Sequence, residues 1–294
     1  MKNNAKNDAG TGSIVILFYK FISIADPKNL AQAHKAKCAE LGLLGRMIVA
    51  EEGINATFEG SDEVIEKYKK FLKNDERFAD IVIKESAGNG KAFTKLKIKV
   101  RDEVVALEAG KFDIKAETAE ELPASELAKW YENNEDFVVL DLRNDYEIAS
   151  GKFEKTVDPG LTNFRDLPGK IAQLENLKDK KVVAVCTGGI RCEKATCLLK
   201  QNGFSNLYQL KDGIHTYMKE YPGKNFKGTL FVFDNRMTTD VIDIPNKEII
   251  GKCVFCSVMT ESYCSDDSIR PSKKILCCEN CFEINRNHLR ESVA

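Results

Sequence analysis

The sharpest chemistry in this chain sits in one short stretch, Cys186-Thr187-Gly188-Gly189-Ile190-Arg191-Cys192, directly after the apolar run 181–185 (KVVAV). A cysteine that ends a buried parallel strand and precedes a helix lies where open α/β folds bind their ligands. Two glycines let such a loop curl so that successive backbone N–H groups point inward. With the positive end of the following helix they form an anion nest around the sulfur. Those donors, together with Arg191, lower the Cys186 pKa and favour the thiolate, which is the nucleophilic form. The plainer reading is an inert buried cysteine beside a glycine-rich turn; strand, glycines, arginine and helix together favour the reactive thiol. Cys192 is either a second thiol, receiving sulfur or closing a disulfide with Cys186, or a small residue that suits a first helical turn. Cys197, beside Leu198 and Leu199, reads as core.

Ten cysteines is a high count, and six of them lie between Cys253 and Cys281. In a reducing compartment that distribution points to a metal site plus a thiol site, not to a disulfide framework. Cys253-x2-Cys256 and Cys278-x2-Cys281 are two knuckles of equal internal spacing, and four thiolates on two such turns suit tetrahedral zinc. The segment is short and poor in apolar residues, so a structural zinc would supply stability that its core lacks. Cys264 and Cys277 are left over and could join an alternative tetrad; Ser265-Asp266-Asp267-Ser268, where similar proteins often carry a further cysteine, has none, which counts against a second zinc. Reduced thiols in a disordered tail are the alternative. The residues give no other sign of a cofactor. There is no G-x-G-x-x-G fingerprint, and His34, His215 and His288 stand too far apart in sequence to suggest a two-histidine iron site.

A third feature is basic. Residues 91–101 (KAFTKLKIKVR) hold five cations and no acid, and Lys95, Lys97, Lys99 and Arg101 alternate with Leu96, Ile98 and Val100. One strand face is then basic and the other apolar. Such a row could contact successive phosphates; on the residues alone, the solvated outer face of an antiparallel sheet is the preferred reading.

The elements that position these groups can be read from pattern. Residues 13–21 (SIVILFYKF) form a strand, and Asp26-Pro27 starts a helix carrying Leu30, Ala33, His34, Cys38 and Leu41. Strands follow at 46–50 and 54–58, a helix at 62–72, and strands at 81–84, 95–100 and 104–107. This β-α-β-β-α-β order predicts a ferredoxin-like α+β domain over 13–115, after a disordered polar tail at 1–12. Next come a helix at 122–130, a strand at 137–140, helix at 170–177, the strand 181–185, helix from about 192 to 202 and a strand at 207–210. Unbroken apolar strands alternating with helices predict a parallel α/β domain over 120–225. A strand-like stretch at 229–233 opens the cysteine-rich tail, 226–294.

Composition agrees with an α/β and α+β multidomain chain: 294 residues, 43% hydrophobic and 30% charged. No apolar run approaches the roughly 20 residues needed to span a bilayer, so no membrane partner is expected. The polar start lacks the apolar stretch of a secretory signal, which predicts a cytoplasmic protein. With 44 basic against 45 acidic residues the net charge is −1, so any nucleic acid must be bound by a local patch.

The Cys186 loop resembles the rhodanese-like superfamily, in which the cysteine opening a six-residue loop carries a persulfide. Arg191 falls on the loop's terminal basic residue, and Asp141-Leu142-Arg143-Asn144-Asp145-Tyr146-Glu147 matches the family's D-x-R-x-x-x-E box. Leu210-Lys211-Asp212-Gly213-Ile214 takes the place of its G-G-[IWF] turn. Asp141 and Arg143 read at least as well as a bracing ion pair as they do chemically. Gly151-Lys152-Phe153 stands where the family commonly has Gly-His-Ile/Phe, so no histidine role carries over there. Cysteine-dependent phosphatases use C-x5-R; four residues between Cys186 and Arg191 leave less room for phosphate and suit a single sulfur atom.

Together with Leu17-Phe18-Tyr19-Lys20-Phe21, Ala50-Glu51-Glu52-Gly53-Ile54-Asn55-Ala56-Thr57, the basic strand and Phe231-Val232-Phe233-Asp234-Asn235-Arg236, the loop looks like that of the rhodanese-related bacterial tRNA uridine hydroxylases. The resemblance covers nearly the whole chain. It implies an oxidoreductase acting on tRNA, forming 5-hydroxyuridine at the wobble position, with molecular oxygen as co-substrate and the rhodanese cysteine essential. It also turns the basic strand into an RNA contact. A persulfide sulfurtransferase served by a sulfur donor is the first alternative, and a non-enzymatic tRNA-binding module the second.

Overall fold

The computed structural model describes residues 12–242, 244–245 and 247–292; the tail expected at 1–12 lies outside them except for Gly12. Two compact units meet between Val104 and Val105.

In the first unit, β1 (Ser13–Phe21) runs into α1 (Pro27–Leu41), where the Asp26 carboxylate accepts from the Asn29 amide at 3.0 Å and Gly42 closes the helix at φ +70°. Then come β2 (Leu44–Ala50), β3 (Gly53–Ser61), α2 (Asp62–Lys73), β4 (Ile83–Ala87) and β5 (Leu96–Val100). The sheet order β4-β1-β3-β2 is ferredoxin-like, and β5 extends it as a parallel edge strand beside β2. Ile16 and Phe18 of β1 pack with Ile65, Tyr68 and Leu72 of α2 in the core.

One expectation fails: residues 104–107 are not a strand. The Val104 amide donates to Glu52 Oε1 at 2.8 Å and its carbonyl accepts from Asn55 Nδ2 at 3.1 Å, so side chains satisfy the backbone where a ladder was expected. Leu107 is buried in the core of the second unit.

The second unit begins with α3 (Ile114–Glu117), β6 (Glu120–Leu122), α4 (Ala124–Glu132), β7 (Val138–Asp141), α5 (Asp145–Ile148), β8 (Gly151–Phe153) and β9 (Thr156–Val157). A 3-10 helix spans Phe164–Leu177, longer than the helix expected at 170–177; Pro168 within it has no N–H to give an α ladder. The chain continues through β10 (Val182–Val185), α6 (Ile190–Gln201), β11 (Leu207–Leu210) and α7 (Gly213–Glu220). The sheet, ordered β6-β11-β10-β7-β9, is parallel throughout. Val182 and Ala184 pack with α6 and the 3-10 helix, whereas Val183 and Val185 pack with α4 and α7. Alternate side chains of one strand thus fill both layers.

Short strands finish the unit: β12 (Phe226–Gly228), β13 (Leu230–Phe231), β14 (Thr238–Thr239), β15 (Tyr263–Asp266) and β16 (Lys273–Leu276), followed by α8 (Glu279–Ile284) and β17 (Leu289–Glu291). Of the stretch expected as a strand at 229–233 only Leu230–Phe231 is one; the Thr229 amide before it donates to the Ser150 carbonyl at 2.9 Å, and residues 232–233 lie outside it. Among the described residues no helix is long and apolar enough to cross a membrane.

Candidate active site and metal centre

Cys186 follows β10 at the C-terminal edge of the parallel sheet. Helix α6 starts at Ile190, two residues earlier than the pattern suggests, because Gly189 takes the left-handed conformation (φ +102°) that turns the chain straight into it. The early start brings first-turn amides to the sulfur. Gly189 N–H donates to Cys186 Sγ at 3.1 Å, and the amides of Arg191 and Cys192 donate as well. Burial pushes the thiol pKa up. The Cys192 thiol hydrogen bond, the Arg191 charge and those amides outweigh it and bring the pKa down to about 5. Cys192, equally buried and donating, is held well above its ordinary value. The two thiols are therefore a thiolate and its hydrogen-bond donor. Thr187, Gly188 and Gly189 are buried around them, with Ile190 half-buried.

The loop is fixed from two sides. The amides of Ile214 and His215 donate to the carbonyls of Cys186 and Thr187, each at 3.0 Å. Gly213, at φ +74°, lies so close that a Cβ there would meet Gly189 N at 2.6 Å and Cys186 O at 2.7 Å. On the other side Arg191 donates to both Glu147 carboxylate oxygens, at 2.6 and 2.8 Å, and Glu147 Oε1 also accepts from the Asn144 amide at 2.9 Å.

Asp141, Arg143 and Glu147 stand beside this loop because Val185 of β10 pairs with Asp141 of β7. Arg143 is fully buried. Its Nε and Nη2 donate to the two Asp141 oxygens at 2.9 and 2.7 Å, Nη2 also to the Gly151 carbonyl at 2.7 Å, and Nη1 to the Glu147 carbonyl at 3.3 Å. A buried guanidinium with all its nitrogens engaged is a brace. The Gly151-Lys152-Phe153 position contributes a backbone carbonyl to it, so a lysine there changes nothing in the brace.

The site includes residues that pattern reading passed over. Glu147 lies 44 residues from Arg191, and only its place in the D-x-R-x-x-x-E box hinted at a role. Phe233 is another: its ring centroid lies 5.9 Å from Arg191 Cζ, and the residue stays 42% exposed. Exposure depends on the tertiary fold, and nothing in the local sequence signals it.

The cysteine knuckles converge. The Sγ atoms of Cys253, Cys256, Cys278 and Cys281 all lie within 4.8 Å of one another, with Cys256 and Cys278 3.6 Å apart. Four sulfurs bound tetrahedrally at about 2.3 Å from zinc would be roughly 3.8 Å apart, so these residues fit a metal ion. Cys264 and Cys277 pack in the same small core without joining the cluster and hydrogen-bond to each other.

In the first unit, Lys97 and Lys99 of the basic row lie on the edge strand β5, with Lys95 and Arg101 just outside its two ends. Lys95, Lys97, Lys99 and Arg101 are exposed, Leu96 and Ile98 are half-buried against the core, and Val100 is exposed. Lys95, Lys97 and Lys99 form no ion pair among the described residues.

Residues 13–104 match the UPF0176 acylphosphatase-like domain, 123–220 the rhodanese-like domain, and 227–291 the domain described as rhodanase C-terminal. The tRNA uridine(34) hydroxylase of Cytophaga hutchinsonii is 39% identical over 269 residues, covering 92% of this chain and 86% of that one. The Staphylococcus carnosus protein of the same name is 39% identical over 289 residues (93% and 90%). That of Listeria monocytogenes is 42% identical over 266 residues (89% and 83%). Among solved structures, a rhodanese-related protein from Thermoplasma volcanium is 27% identical over 35% of this chain and 93% of its own, with a TM-score of 0.30.

Proposed function

The chain belongs to the tRNA uridine(34) hydroxylase family, and from that premise we propose that it hydroxylates C5 of the wobble uridine of tRNA in the cytoplasm, with Cys186 as the reactive sulfur. Replacing C5–H by C5–OH is a two-electron oxidation of the base. With molecular oxygen as co-substrate in this reading, one oxygen atom enters C5–OH and the other leaves as water, which takes two further electrons and two protons from a separate two-electron reductant. The observation that carries the site assignment is the pairing of a buried thiolate with inward amides and Arg191. A nest of this size stabilises one terminal sulfur as readily as the thiolate itself. A persulfide forms there when the Cys186 thiolate attacks the sulfane sulfur of a donor persulfide; one S–S bond forms, one breaks, and the donor leaves as a thiolate. Thr187, Gly188, Gly189 and Ile190 shape the nest, Cys192 donates to the sulfur, and Asp141 and Arg143 brace the loop's neighbour.

The nest equally supports a second reading, sulfane-sulfur transfer as the end in itself. Lys95, Lys97, Lys99 and Arg101 are the RNA contacts of the first unit in our reading. Zinc on Cys253, Cys256, Cys278 and Cys281 would be structural, because four thiolates leave it no open position for substrate.

The deciding experiment is nucleoside mass spectrometry of tRNA from a deletion strain carrying the wild-type gene or Cys186→Ser. The expected outcome is 5-hydroxyuridine restored by wild type, absent with the variant, and absent from wild type grown without oxygen. Unchanged 5-hydroxyuridine in the deletion, with no parallel pathway making it, refutes the hydroxylase reading. Rapid thiosulfate-to-cyanide transfer in its place would promote the sulfurtransferase.

A further inference from the structure

We infer that Phe233 is a stacking platform on which an unpaired base of the anticodon loop is held at the rim of the Cys186 loop; this rests on the tRNA-modifying reading above. Phe233 leaves 42% of its surface to solvent, whereas its neighbour Phe231 is covered. Its position is specific. The ring lies 5.9 Å from the Arg191 guanidinium carbon, and the amide of the same arginine donates to Cys186 Sγ. Both Arg191 terminal nitrogens are committed to the Glu147 carboxylate. What Arg191 offers Phe233 is a cation–π contact.

The ring is also held rigidly. It meets Phe231 edge-on at 5.3 Å and 81°, and Phe231 packs against Tyr146 and Tyr263 at 5.2 and 5.1 Å. Its chain neighbour Asp234 is clamped to Arg236, which donates from Nε at 2.8 Å, Nη2 at 2.6 Å and its amide at 3.0 Å. The Val232 amide donates to the Met237 carbonyl at 2.8 Å, closing the turn. A flat apolar surface fixed in this way loses little conformational entropy when a planar ligand covers it. The ring has no hydrogen-bonding group, so it would hold a base by its π face irrespective of the base's identity. Only an unpaired base presents that face, as in an anticodon loop.

The test uses the full chain with Phe233→Leu and Phe233→Trp, an anticodon stem-loop RNA carrying uridine 34, and the complemented deletion strain. Leucine keeps the apolar bulk and loses the π face. It is expected to weaken RNA binding on the order of tenfold by fluorescence anisotropy and to lower 5-hydroxyuridine in the strain at an unchanged thermal midpoint. Tryptophan is expected to retain both, and its fluorescence to be quenched by the RNA, against the buried Trp130 as background. If Phe233→Leu binds the RNA as wild type does, or the Phe233→Trp emission ignores RNA that is bound, the platform is overturned while the hydroxylase reading stands. If wild type makes no 5-hydroxyuridine, the hydroxylase reading falls, and the quenching measurement alone decides the platform.

Discussion

Burial alone makes a thiol a poor anion, and this chain contains its own controls. Cys38 and Cys197 are both pushed up to about 12 by burial. Cys186 is as deeply enclosed and ends near 5, because three amides, one thiol and one guanidinium converge on it. The difference lies in where donors point, which is a property of the turn at Gly189 and of the early start of α6. Removing the cation should show its share. In an ultraviolet thiolate titration, taken as the difference between the full chain and Cys186→Ser, the wild-type inflection is expected near pH 5. With Arg191→Gln it should move upward, since a positive charge that favoured the anion is gone. The sulfur would then be largely protonated at the lower end of the range where wild type is ionised. An inflection that stays put would mean the amides do all the stabilising and Arg191 serves Glu147 alone.

Each element shows how far sequence pattern reaches. The alternation in β5 was legible because a strand's period is two: Lys97 and Lys99 face solvent and Leu96 and Ile98 face the core. The knuckle cysteines were legible because equal spacing makes equal turns, and the structure gathers those four. Residues 104–107 misled, because their apolar character resembles a strand while side chains of Glu52 and Asn55, about 50 residues away, take up the backbone of Val104. The Arg191–Glu147 pair and the exposure of Phe233 were not legible either, since both exist only once distant segments meet. The edge position gives the β5 lysines two distinct uses. Charges on an exposed edge discourage pairing with another strand, and a row of cations can also follow a phosphate backbone. The uses separate by salt. With Lys97→Ala and Lys99→Ala combined, the slope of log affinity for tRNA against log salt should shrink by about 1.4–1.8, the share of two phosphate contacts. The thermal midpoint should barely move, because neither lysine is in an ion pair among the described residues. An unaltered slope would leave edge protection as their role.

At the scale of the whole molecule, the cysteine cluster and the Cys186 sulfur are linked through α5. The Tyr263 hydroxyl donates to the Tyr146 carbonyl at 2.5 Å, and Lys273 Nζ lies 2.9 Å from Asp145 Oδ2. Both partners sit on α5, the turn that carries Glu147 toward Arg191 and so to Cys186. Strands β15 and β16, which supply Tyr263 and Lys273, rest on a small core made largely of cysteines. That core has few apolar side chains to hold it together, so a bound metal would provide much of its cohesion. Metal removal is therefore expected to act in two places. A strong chelator, or Cys278→Ser, should lower the thermal midpoint by several degrees and open residues 247–292 to protease. It should also raise the Cys186 inflection, because α5 loses its outer support and Glu147 holds Arg191 less firmly over the sulfur. A protein that loses its metal and becomes protease-sensitive while Cys186 titrates as before would show that α5 is held by the parallel sheet alone. Unchanged stability after complete chelation would remove the metal from the account of this fold, since the remaining contacts of β15 and β16 would then suffice.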